Sequence, residues 1–265
     1  MDAGSRDTPT GPGRPFALLV APGAPSTVAA LEAGFRQMGL RPEMVAAEDG
    51  DAPCFRLHLG SLEVLAGRAG AARLDLAAPE ERATSLIGVT LTCAWREHCW
   101  FFEPEAGSEG AAPLAGARFD DFYRMLVLLI DLFDAQQLFW SPARLWSDAA
   151  QFRGAIAEMQ ASGMPPVLHL VAFRRGEDAA GGRVATRGLA AFAGQELDAR
   201  VPRGWDMAAM VQRLARLALD MLLNGPLRRA QQAPGLNGGE WVTLTPQLGG
   251  DGRPVTVLVE FRSDR

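Results

Sequence analysis

Lysine is missing from this sequence: all 26 basic side chains among its 265 residues are arginine, in a chain heavy in Ala, Gly and Pro. Uniform along the chain, that bias reads as the imprint of a GC-rich bacterial genome rather than as a surface selected to escape lysine modification. Cysteine is scarce as well. Cys54, Cys93 and Cys99 are an odd set without framework spacing, which argues against a disulfide scaffold and for buried reduced thiols. Long apolar runs are lacking: Met125 to Ile130 falls far short of the roughly 20 residues that cross a bilayer, so no membrane span is expected. The N-terminal residues lack the basic, apolar and cleavage regions of a secretory signal, and a cytoplasmic protein is expected. A net charge of −5, with no basic run interleaved with aromatics, disfavours nucleic acid as a partner.

What is present can build a core, since 48% of the residues are hydrophobic. Residues 1–14 are small, polar and rich in Gly and Pro; they cannot offset the entropy of ordering and read as a disordered tail. Phe16 to Val20 is a strand candidate, and the Pro22-Gly23-Ala24-Pro25 turn leads to Ser26 as the N-cap of a helix. That helix is marked by Val28, Leu31, Phe35 and Met38 and ends at Gly39. Strands are expected over Glu43 to Ala46, Cys54 to Leu59, Leu62 to Ala66 and Leu86 to Trp95, with Gly60-Ser61 closing a hairpin. Glu103 to Gly116 reads as a surface loop. From Arg118 to Gln136, Phe119, Phe122, Tyr123, Leu126, Leu129, Ile130 and Phe133 recur at helical spacing and predict the central core helix. Leu138-Phe139-Trp140 interrupts the pattern. Ser147 then caps a helix carrying Phe152, Ile156 and Met159, which Gly163 and Pro165-Pro166 end.

A hinge is read at that point, dividing an N-terminal α+β half over 15–163 from a C-terminal α+β half over 164–265, the two packed as one integrated unit. The second half opens with a strand from Val167 to Phe173 and a Gly-rich turn at Gly181-Gly182. A strand over Gln195 to Val201 precedes a helix from Asp206 to Asn224, stopped by Gly225-Pro226. Trp241 to Thr245 and Pro254 to Phe261, joined through Gly249 to Gly252, form a closing hairpin with one buried face. Hairpins without regular βα alternation predict an α+β fold, a mixed or mostly antiparallel sheet flanked by helices. Each half holds a long helix among strands, so two related halves are one reading, although no sequence period supports a duplication.

Few constellations offer chemistry, and no cofactor or metal is expected. Cys93, His98 and Cys99 are the ligand types that zinc takes, but adjacent His98 and Cys99 point to opposite faces of a strand and no second pair completes the set. His58 and His169, each between apolar residues on a predicted strand, could act as a base, yet no motif supplies a nucleophile. Gly235 to Gly239 precedes a strand, not the helix that a phosphate cradle needs. Glu80-Glu81, Glu103 with Glu105, and Asp120-Asp121 read as solvated acids or helix-dipole partners. The most distinctive segment is Thr186 to Leu197. Gly188 can take an unusual backbone angle and Leu189 and Phe192 can anchor a turn, leaving Arg187 and Glu196 to pair with each other or to face a ligand.

This segment, together with Pro165-Pro166-Val167, the long helix that follows and Leu138-Phe139-Trp140-Ser141 upstream, resembles the bacterial family catalogued as domain of unknown function 4261. The resemblance extends from about Phe16 to Phe261 and departs from the family pattern where Ala193 separates Phe192 from Gly194. It implies a bacterial origin and a single integrated fold, and it transfers no catalytic residue.

The leading functional expectation is a non-enzymatic protein-binding module, an accessory or immunity-type factor of a secretion or toxin system with a protein partner of unknown identity. Its motive is the set of aromatics near predicted loops: Trp95, Trp100-Phe101-Phe102, Trp140, Trp146 and Trp205, at least half of them expected to be packing residues. The rival is an enzyme or small-ligand binder with a cleft between the halves. The candidate contact residues are Thr186, Arg187, Glu196, His169 and Trp140. A subunit of an obligate assembly is a third reading.

Overall fold

Helix ends are set by local chemistry. Thr27 Oγ1 accepts the Ala30 N–H at 3.3 Å, Asp148 accepts that of Gln151 at 2.8 Å and Asp206 that of Ala209 at 2.6 Å, each satisfying a donor with no partner inside its helix. Both first-half caps fall one residue beyond those expected, at Thr27 rather than Ser26 and at Asp148 rather than Ser147.

A computed structural model describes residues 14–46, 53–79, 84–87, 89–105, 117–178, 181–247 and 254–263. Residues 1–13 of the tail expected over 1–14, most of the loop expected to end at Gly116, the Glu80-Glu81 pair and the turn through Gly249 to Gly252 lie outside the described residues. In the first half the order is β1 (Ala17–Val20), α1 (Val28–Gln37), β2 (Arg41–Val45), β3 (Cys54–Leu59), β4 (Leu62–Arg68), α2 (Ala71–Leu76) and β5 (Ser85–Ile87). A 3-10 turn (Trp95–His98), β6 (Cys99–Pro104), α3 (Ala117–Phe133), β7 (Gln137–Trp140), β8 (Leu145–Asp148) and α4 (Ala149–Ser162) complete it. The second half runs α5 (Val167–Leu170), β9 (Ala172–Asp178), β10 (Gly181–Arg187), α6 (Ala190–Ala193), β11 (Gln195–Arg200), α7 (Met207–Asn224), β12 (Gln231–Pro234), β13 (Glu240–Gln247) and β14 (Val255–Ser263).

The fold is α+β, with two mixed sheets in the orders β2-β3-β4-β6-β1-β7-β8-β5 and β12-β13-β14-β11-β10-β9. Every neighbouring pair is antiparallel except β5 with β8 and β11 with β14. In the first sheet β1, β6 and β7 are buried almost throughout. Leu19, Trp100, Phe102, Leu138 and Trp140 feed one core under α1, α3 and α4, while Leu18, Val20, Phe101, Phe139 and Trp146 feed a second with Ala77 and Trp95. The larger core runs on into the second half, where Met210, Leu214 and Ala218 of α7 join Val242, Val257 and Val259.

Several local expectations change. Trp100-Phe101-Phe102 and Leu138-Phe139-Trp140 are strands at the sheet centre, not loop aromatics, and Trp95 and Trp146 are buried beside them. Among the described residues of the run expected over Leu86 to Trp95, strand is confined to β5 at its start, paired in parallel with β8. Val167 to Leu170 forms one helical turn, closed by the Val171 N–H on the Val167 carbonyl at 2.9 Å, and the strand starts only at Ala172. Gly181-Gly182 begins β10, in register with Asp178 and Glu177.

Candidate functional site

The distinctive segment lies where the second sheet meets the first half. β10 ends at Arg187 and the chain turns through Gly188 at φ 98°, where an added Cβ would sit 2.9 Å from Ala143 Cα and from the Leu170 carbonyl oxygen. Positive φ and close approach both require glycine there. α6 follows and stops at Gly194, whose left-handed backbone is also suited to glycine. Its Phe192 stacks on Phe119 of α3, with ring centroids 4.1 Å apart.

Glu196 fastens this turn. Oε1 accepts the N–H of Gly188 at 2.8 Å and of Ala190 at 3.1 Å, while Oε2 accepts the Thr186 hydroxyl at 2.7 Å. Thr186 Oγ1 in turn accepts the Leu197 N–H at 2.7 Å. Burial pushes the Glu196 carboxyl above its ordinary value, and these hydrogen bonds pull it part of the way back. The carboxylate is thereby engaged in holding backbone, the role that its position between β10 and α6 favours. Arg187 sits half-buried at the end of β10, in register with Ala172.

The other candidates belong to the same junction. His169 lies on α5, with Nδ1 3.2 Å from Ser147 Oγ on β8 and its ring edge-on to Phe152 at 6.0 Å. Burial lowers its pKa, with Asp148 acting in the opposite sense. Serine, histidine and aspartate together invite a hydrolytic reading, but Ser147 is 1% exposed and the Asp148 carboxylate caps α4. Trp140 is 1% exposed among Phe119, Phe122, Tyr123 and Phe192. Its Nε1 and the Tyr123 hydroxyl have no hydrogen-bond partner among the described residues, and burial holds the Tyr123 phenol well above its usual pKa. Thr186, Glu196, His169 and Trp140 thus have contacts that join or fill the two halves.

The remaining chemical candidates separate. The Cys99 thiol is buried, donates to the Trp95 carbonyl at 3.3 Å and is pushed up to about 12 by burial; Cys54 is half-buried and Cys93 is exposed, so the expected burial holds for Cys99 but not for the other two. No group of metal-ligating side chains gathers among the described residues. His58 stands 3.6 Å from Glu43 and 3.5 Å from Glu63 at the surface of β3. Glu103 and Glu105 hold Arg73 and Arg56, each at 2.6 Å. A buried pair that sequence reasoning missed ties α7 to β13: Arg213 donates through Nε and Nη2 to both oxygens of Glu240 at 2.7 Å and stacks over Trp205 at 4.2 Å. The bond from Arg213 draws the Glu240 carboxyl below its usual range.

Away from the junction, the C-terminal end of α7 opens a cavity of about 340 Å³. Leu217, Met221, Leu227 and Leu244 give it apolar walls, and Arg228 and Arg229 stand in the polar part of its lining. Both arginines are exposed and make no ion pair among the described residues. The wall is fixed by Gln195, whose Nε2 donates to the Leu227 carbonyl and whose Oε1 accepts the Leu227 N–H, both at 2.8 Å. Gly225-Pro226 signals the helix stop in the sequence, but the walls come from residues as distant as Leu244, which no local pattern brings together. Comparison of the chain with protein-family models, with curated proteins and with solved structures finds no match in any of the three.

Proposed function

We propose that the protein is a non-enzymatic binding module whose partner is another protein, and that the cavity at the end of α7 receives it. The observation that carries this reading is the pairing of apolar walls with two exposed arginines that have no ion-pair partner among the described residues. An apolar side chain entering the cavity beside a carboxylate that meets the guanidinium groups would match both features, since arginine binds carboxylates in fixed, often bidentate geometry. The groups better suited to chemistry are engaged in the fold: Glu196 holds backbone N–H groups, and Ser147 is enclosed in β8. On this reading the chain is an accessory factor, consistent with the bacterial setting expected from its composition.

Affinity purification from the native host tests it, with wild type beside an Arg228→Glu, Arg229→Glu variant. The expected result is a stoichiometric protein partner recovered by the wild type and lost by the variant. Retention by the variant would move the site elsewhere, and a wild type that recovers no protein would overturn the reading. The cavity volume, at the low end of the roughly 300–1,000 Å³ typical of ligand pockets, favours one alternative, a small anionic ligand. Native mass spectrometry of the protein purified from its host separates the two, because that ligand would appear as a small added mass.

A further inference from the structure

The edges of the two sheets are not equally protected. β2 carries Pro42, β12 is four residues long and carries Pro234, and β5 has three residues, all features that limit pairing with another strand. β9, the remaining edge, runs seven residues without proline: Ala172-Phe173-Arg174-Arg175-Gly176-Glu177-Asp178.

Backbone parity shows which groups this edge offers. The Val201 N–H donates to the Gly182 carbonyl at 2.9 Å, so Gly182 and alternate residues of β10 bond towards β11. Arg183 and Ala185 therefore bond towards β9, where their register partners are Gly176 and Arg174. The N–H and C=O groups of Phe173, Arg175 and Glu177 are left pointing away from the sheet. Arg175, Gly176 and Glu177 are exposed, and Arg175 reaches Glu177 of its own strand at 3.3 Å, with side chains 67% and 72% exposed.

The order of charges is self-complementary when reversed. If two copies of β9 run antiparallel about a two-fold axis at Gly176, Arg175 of each copy lies opposite Glu177 of the other in a hydrogen-bonded pair. The sequence also sets Arg174 opposite residue 178, an aspartate. Moving the axis by one residue puts Arg175 against Arg175 or Glu177 against Glu177, and like charges directly opposite each other are destabilising. Charge thus selects one register, and strand parity supplies hydrogen bonds in that register.

We propose that β9 pairs with β9 of a second copy of this chain about a two-fold axis at Gly176, joining the second sheets of both copies into one. The interface is isologous, so it closes as a dimer and does not propagate. This inference is independent of the cavity at the end of α7.

Sedimentation velocity of the full chain over a concentration series tests it, with circular dichroism confirming the fold of each variant. Wild type is expected to form a dimer. Arg175→Glu and Glu177→Arg, each placing like charges opposite each other twice per dimer, are expected to weaken it by about tenfold or more in dissociation constant. An equimolar mixture of those two variants restores unlike pairs across the axis and is expected to recover dimer, as is the double variant Arg175→Glu, Glu177→Arg. A wild type that stays monomeric at every concentration overturns the proposal. So does a dimer indifferent to the single reversals, or a mixture that fails to recover it.

Discussion

Strand for strand, β11-α7-β12-β13-β14 follows the path of β1-α1-β2-β3-β4: a strand, a helix and a three-strand meander whose last strand runs parallel to the first. A hairpin extends each sheet beyond that first strand, β7-β8 beside β1 and β10-β9 beside β11. The difference lies in the middle. In the second sheet β14 lies directly against β11, whereas in the first β6 lies between β4 and β1. β6 brings Trp100, Phe101 and Phe102, and the first sheet has a core on each face. The second is buried on one face by α7; along β13 the buried Val242 and Leu244 alternate with Trp241, Thr243 and Thr245, which are exposed or half-buried. One plan therefore yields a doubly covered scaffold and a sheet that keeps a face, an edge and a cavity accessible.

Substitutions can break that contrast, starting where the effect is largest. Trp100→Ala empties a buried site in the scaffold core and is expected to cost about 3–5 kcal/mol in urea unfolding, whereas Thr243→Ala on the second sheet should stay within about 0.5 kcal/mol. Equal effects would remove the distinction between the sheets. Glu240→Ala leaves Arg213 without its carboxylate between α7 and β13 and is expected to cost about 3 kcal/mol, measured in the same way. Glu196→Ala strands the N–H groups of Gly188 and Ala190 and the Thr186 hydroxyl, with an expected loss of about 1–3 kcal/mol. Its proteolysis pattern should show cleavage in the Gly188 to Gly194 turn.

The smallest expected effect is one of pH. Burial lowers the His169 pKa in the folded protein, so below the unfolded value of about 6.5 the unfolded chain binds more protons at this site. The contribution of His169 to stability is intact above that value and declines as pH falls through it towards the folded pKa. Urea titrations at neutral and mildly acidic pH should show this decline in the wild type and a flatter profile in His169→Gln. An unchanged slope would separate His169 from the acid response of the junction.

Legibility in the sequence followed the same division. α3, α4 and α7 were readable because each buries one stripe, and the β3-β4 hairpin and the β13-β14 pair because each has alternating faces or a tight glycine turn. β6 and β7 were not: strands buried on both faces show a continuous aromatic run with no period. At the junction, Thr186, Gly188 and Glu196 stood out within one short segment. Their neighbours Ala143 and Phe119, and the pairing of His169 with Ser147 across 22 positions, depend on how the halves dock. The cavity was hidden for the same reason, since Leu217 and Leu244 meet only once β13 packs beside α7.

Hydrogen exchange on the dilute, purified chain tests the scaffold-and-surface division most directly. The account predicts that amides of β1, β6 and β7 exchange only with global unfolding, while those of β9 and β12 exchange by local opening well below that free energy. Protection of β9 and β12 equal to or above that of β6 would contradict it.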